Sequence, residues 1–140
     1  MPRPTKEAPL PSDYGTSGAT AEMLEAGYVH DLLVVYTPAS RVRYGRLALE
    51  SMIQHAVQAA NQAYQNSGIG LRLRLSGTAE VDYAGGGDLG VDLSAIRSTN
   101  DGRMDEIHAL RNSVGADLVV LVVETDPKYC GMAYVLTNPS

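Results

Sequence analysis

Apolar positions change their spacing several times along the chain, and each change marks an element. Val29 to Tyr36 is a short, nearly continuous apolar run rich in valine, the pattern of a strand buried on both faces, as in a parallel sheet. Thr37-Pro38 follows, with threonine suited to the N-cap and proline to the first helical position. Leu49, Met52, Ile53, Ala56, Val57, Ala60 and Tyr64 then recur at i, i+3, i+4 spacing, one apolar stripe on a long helix. Gly45 is placed to break or loosen its first turns. Asn66-Ser67-Gly68 ends it, with Gly68 as the residue just past the cap.

Ile69, Leu71, Leu73 and Leu75 alternate with Gly70, Arg72 and Arg74. That period of two predicts a strand with one wet face, lined by the two arginines. Ala79, Val81 and Tyr83 continue the alternation after Gly77, which marks a bulge. Gly85-Gly86-Gly87 is a loop. Asp88 caps a short helix over Leu89 to Arg97, and 98–102 turns the chain. Met104, Ile107, Leu110 and Val114 form a second helical stripe closed by Gly115. Leu118 to Val123 reads as the most buried strand of the chain, and Tyr129 to Leu136 as a final strand after a turn at Asp126-Pro127-Lys128. Prolines and turn residues punctuate 1–27 too often for a stable element. That stretch is expected to be a flexible tail or propeptide linker ahead of a domain over 28–140. Strands alternating with helices imply βαβ crossovers, hence an α/β fold with a mostly parallel sheet and flanking helices.

Composition narrows the function classes. With 44% hydrophobic and 19% charged residues, the 140-residue chain reads as one soluble globular unit. Phe and Trp are absent, so tyrosine and aliphatic side chains must fill the core. The formal net charge of -5 argues against a nucleic-acid partner, which a basic patch would announce. The densest basic run, Arg41, Arg43 and Arg46, reads as a solvated helix start. No stretch approaches the ~18 apolar residues of a membrane span, so no membrane partner is expected. No signal peptide is visible at the start of the chain. The triple glycine lacks the Gly-Lys-Ser/Thr and GxGxxG patterns of nucleotide loops.

Candidate chemistry within the chain is sparse. His30, His55 and His108 are followed by Asp31, Ala56 and Ala109, so there is no His-Glu pair of the kind that zinc peptidases place on a helix. No residue is assigned as catalytic and none as a metal ligand. His108 with Asp105 reads as a helix-surface pair, and His30 and His55 as partly buried, hydrogen-bonded histidines. Asp82, Asp88 and Asp92 lack the spacing of an EF-hand loop and read as caps and surface groups. No GxSxG nucleophile elbow occurs. The single cysteine, Cys130, permits no internal disulfide and reads as a small buried apolar residue.

Several segments together resemble reprolysin-like (adamalysin-type, metzincin) zinc metallopeptidases. They are Asp31 to Pro38, Ala59 to Tyr64 with Asn66-Ser67-Gly68, Arg72-Leu73 through Tyr83, Met104 to Arg111, Gly115 to Val119, and Tyr129 to Tyr134. The resemblance implies the N-terminal part of the catalytic domain, a metzincin-like upper subdomain that is incomplete and stops before the HExxHxxGxxH helix. It implies an antiparallel edge strand over Tyr129 to Leu136, whose free backbone groups pair with an extended peptide. Gly131, Met132, Ala133 and Tyr134 are therefore the candidate substrate-binding residues, and a peptide or protein is the expected partner. It also implies zinc in the full-length family domain with none bound by this chain, a disulfide partner for Cys130 beyond Ser140, and an extracellular or periplasmic location.

The expected function is that of a fragment of a zinc-dependent metalloendopeptidase, which hydrolyses peptide bonds with a zinc-activated water. This chain would supply scaffold and substrate edge, and would be inactive in isolation. The alternatives are a non-catalytic peptide-binding module of the same fold and an unrelated α/β domain. The family's next strand has no counterpart here, so the strand at Leu118 is expected to be an open edge, prone to self-association.

Overall fold

The computed structural model describes residues 27–124, 128 and 130–134. Three strands form one sheet: β1 (Tyr28–Tyr36) lies between β2 (Leu71–Glu80) and β3 (Leu118–Val122), and both pairings are parallel. Four helices connect them: α1 (Pro38–Tyr44) and α2 (Arg46–Asn66) between β1 and β2, then α3 (Leu89–Arg97) and α4 (Glu106–Val114) between β2 and β3. The α/β class and parallel sheet are those expected from the alternation of strand and helix patterns.

The period-two geometry of β1 divides the core into two layers. Leu33 and Val35 face Ala95 of α3, Ile107 of α4 and Tyr83. Leu32, Val34 and Tyr36 face Leu49, Ile53 and Val57 of α2. Right-handed crossovers require this arrangement, because the chain steps one way from β1 to β2 and back the other way to β3. Helices of the two crossovers must then lie on opposite faces.

Local chemistry sets the element ends. The Thr37 hydroxyl accepts from the Ser40 amide at 3.2 Å, with Pro38 at the first helical position. Gly45 sits at φ 80°, ψ 145° and splits the long helix into α1 and α2. Gly68 takes a left-handed conformation just beyond α2. The buried stripe of α2 is narrower than the predicted one: Leu49, Ile53, Val57 and Asn61 are buried, whereas Met52 and Ala56 are exposed. Asn61 faces β2. Its amide nitrogen donates to the Leu73 carbonyl at 2.8 Å and its oxygen accepts from the Leu73 amide at 2.7 Å. A side-chain amide thus pairs edge backbone that would otherwise be left open.

Four strand expectations are corrected. Arg72 is buried, 6% exposed, with Nη1 donating to the carbonyls of Ile69 and Leu71, while Arg74 donates twice to the Asp31 carboxylate. The polar alternation of β2 is therefore an ion-paired and hydrogen-bonded face, not a wet one. The bulge falls at Ser76, since Leu32 is opposite Leu75 and Leu33 opposite Gly77; the Ser76 hydroxyl donates to the Leu32 carbonyl at 3.2 Å. β3 is not the most buried strand: it lies at the sheet edge, the open edge expected for the strand at Leu118, with Leu118 48% and Val120 44% exposed. Of the expected final strand, residues 130–134 are described and form no strand; Tyr129, Val135 and Leu136, like 1–26 of the expected tail, lie outside the described residues.

Candidate functional site

Gly131 to Tyr134 lies beside α3 and the outer edge of β3. Met132, Ala133 and Tyr134 border a cavity of about 420 Å³ whose other walls include Leu89, Leu93, Ile96 and Val120. All four candidate residues are exposed. Among the described residues nothing stands within 4 Å of a side chain built at Gly131, which leaves its backbone approachable from their side. Tyr134 meets Arg97, whose guanidinium carbon lies 4.8 Å from the ring centroid. Cys130 is exposed, which corrects its reading as a buried apolar residue.

The floor of this region is a buried hydrogen-bond network missing from the sequence expectations. Asp92, on the inner face of α3, is 2% exposed and not a surface group. Its Oδ1 accepts from the Tyr83 hydroxyl at 2.6 Å and from the Gly86 amide at 2.7 Å. Burial, and then the hydrogen bond to Asp92, push Tyr83 up to about 12. Oδ2 of Asp92 is also buried and meets no donor among the described residues. Gly86 is required sterically, since a Cβ there would stand 2.6 Å from Val91 Cγ1. The network staples the triple-glycine loop onto α3.

Asp88 caps α3 as expected, accepting from the amides of Gly90 and Val91. Asp82 is exposed and does not join Asp88 and Asp92. Beyond α3, a turn is tied by its own carboxylates. Asp105 accepts from the amides of Asp101 and Gly102, and Asp101 holds the Arg103 amide and guanidinium. The Arg103 amide first, and its guanidinium second, keep Asp101 below the usual carboxylate range.

The histidines do not converge. His108 places Nε2 2.8 Å from the Ser98 carbonyl instead of pairing with the Asp105 side chain. His55 is exposed, not partly buried. His30 is half-buried, with Nδ1 3.9 Å from an Asp117 oxygen. Among the described residues no three His, Cys, Asp or Glu side chains are grouped to hold a metal.

The sequence profile of the metallo-peptidase family M12B, reprolysin-like, matches residues 50–139. The chain belongs to the reprolysin-like metallopeptidases. A peptidyl-Asp metalloendopeptidase of Stenotrophomonas maltophilia (strain K279a) is 43% identical over 102 residues, 73% of this chain and 24% of the relative. One from Xanthomonas campestris is 38% identical over 124 residues, 89% of this chain and 29% of the relative. One from Pseudomonas aeruginosa is 31% identical, covering 75% and 18% respectively. This reprolysin-like chain thus spans less than a third of the relatives it matches. A solved chain in a "Structure of a chaperone-substrate complex" superposes with a TM-score of 0.65 at 23% identity, covering 77% of this chain and 20% of that one, which supports the fold alone. No described helix is long and apolar enough to cross a membrane.

Metallopeptidases work with a metal ion, and the described residues of this chain do not fit one. The resemblance of the strand and helix segments is thereby matched at the level of the family. The histidines and glutamate of an HExxHxxGxxH helix have no counterparts among the described residues.

Proposed function

We propose that this chain forms part of a secreted, zinc-dependent metalloendopeptidase that cleaves proteins at aspartate. Residues 1–27 serve as a tail or propeptide linker, and 28–140 as the N-terminal part of the catalytic domain. Supporting this reading above all is the 38% identity that runs over 89% of the chain to a peptidyl-Asp metalloendopeptidase. Zinc would be held by residues other than those described.

The proposed part of this chain is mechanical and recognitive. The sheet and its two helical layers form a rigid wall. Gly131 to Tyr134 present free backbone groups to an extended peptide, which adds to them as a strand would. The absence of a side chain at Gly131 leaves room for that approach. The largely apolar cavity behind Met132 and Tyr134 offers contact area for a peptide side chain. An extracellular or periplasmic site of action accords with this activity.

The test is to express the protein from its whole reading frame, measure zinc by mass spectrometry, and digest a peptide library. Cleavage at aspartate that disappears with a chelator and returns with zinc supports the proposal. A folded protein that retains no zinc and binds peptides without cutting them would instead make it a peptide-binding module.

A further inference from the structure

The described arginines follow one rule with one exception. Arg41 pairs with Glu80, Arg43 with Glu124, Arg46 with Glu50, Arg74 with Asp31 and Arg103 with Asp101. Arg72 and Arg111 donate to backbone carbonyls. Arg97 has no oxygen partner among the described residues; its one described contact is the face of Tyr134. A cation–π contact occupies none of the guanidinium's N–H donors, and that fork matches the two oxygens of a carboxylate.

The surroundings of Arg97 are suited to such a guest. A polar cavity of about 520 Å³ opens beside it, lined by Ser94, Ser98, Thr99 and Asn100 along with Tyr134. Asp101 also lines this cavity, but Arg103 already occupies its carboxylate through three N–H donors. The uncompensated charge in the cavity is therefore positive. Its wall is also the last residue of the candidate peptide-binding segment, so a side chain of a peptide lying on Gly131 to Tyr134 has this cavity within reach.

We propose that Arg97 is a specificity-determining residue that binds the side-chain carboxylate of the substrate aspartate in the polar cavity beside Tyr134. This rests on the reading of the protein as an endopeptidase that acts at aspartate. Tyr134 holds the guanidinium over its ring, and the serine and threonine hydroxyls and the Asn100 amide complete a polar lining that tolerates a short charged side chain.

The experiment uses the protein from its whole reading frame with two peptides that differ only in Asp or Asn at the recognised position. The readout is the ratio of their kcat/KM values in the wild type, Arg97→Gln and Arg97→Lys. Loss of one charge-assisted hydrogen-bond pair predicts that Arg97→Gln lowers the Asp/Asn ratio by roughly 10-fold or more, with Arg97→Lys in between because it keeps charge without the fork. An unchanged ratio in Arg97→Gln, with the wild type still preferring Asp, overturns the role of Arg97 and leaves the proposed function standing. A fall in both rates with the ratio preserved also overturns it, since that marks a structural role. A wild type that does not distinguish Asp from Asn removes the aspartate reading itself, and this inference with it.

Discussion

The hydroxyl of Tyr83 donates to Oδ1 of Asp92 across 2.6 Å, joining the end of the segment after β2 to the inner face of α3. Because the folded protein holds Tyr83 at about 12 against an ordinary 10.0, the protonated phenol is bound more strongly in the native state. Its contribution is complete below pH 10 and is lost as pH rises through 12. Two units correspond to on the order of 2–3 kcal/mol. Tyr83→Phe should lower stability at pH 8 by roughly 1–3 kcal/mol, leaving the Asp92 carboxylate short of a donor. It should also flatten the alkaline decline. Urea unfolding of both proteins between pH 8 and 11 would show this, and parallel pH profiles would refute it.

Asn61 carries the outer edge of β2 by satisfying both the amide and carbonyl of Leu73. Asn61→Ala removes both partners where the residue is fully buried. Each orphaned group costs roughly 1–3 kcal/mol. Asn61→Asp should be at least as damaging at neutral pH, since a carboxylate cannot donate to the Leu73 carbonyl. Thermal unfolding of the three proteins is the check; an Asp variant as stable as the wild type at neutral pH would overturn the need for an amide donor to the Leu73 carbonyl.

How far the sequence could be read depended on what each pattern encodes. The apolar run of β1 was legible because Leu32 to Tyr36 are buried on both faces, so composition and environment coincide. The run of β3 has the same composition but an edge position; composition alone misread it as buried, and only the family likeness pointed to the open edge. Arg72 and Arg74 obey the alternation of β2, yet period two gives only the face; whether that face holds water or Asp31 depends on a partner distant in sequence. The segment Gly131 to Tyr134 was singled out by family likeness. Arg97 was invisible, because its role depends on which arginines lack a counter-charge, and that is a property of the folded chain.

Gly45 occupies φ 80°, ψ 145° between α1 and α2, a region that side chains with a Cβ rarely enter. Nothing lies within 4 Å of a Cβ built there, so the penalty of a substitution is backbone strain alone. Gly45→Ala should destabilise the fold by roughly 1–3 kcal/mol. If α1 and α2 instead fuse into one helix, circular dichroism will show increased helicity with displaced contacts of Thr37 and Ser40. A variant with unchanged stability and helicity would mean the break is imposed by the rest of the fold.

Val120 is expected to govern self-association of the 140-residue chain. It sits in the middle of β3, 44% exposed, on a strand that pairs with β1 on one side and with no described strand on the other. Exposed edges that combine backbone groups with apolar side chains template pairing with another chain. Val120→Lys places a charge where a second chain would have to bury it, while β1 keeps its partner on the inner side. Sedimentation velocity should show concentration-dependent association for the parent chain and a shift towards monomer for Val120→Lys. A parent chain that stays monomeric at high concentration would mean the β3 edge is covered, and the neighbouring segment at Met132 to Tyr134 is the nearest described element able to cover it.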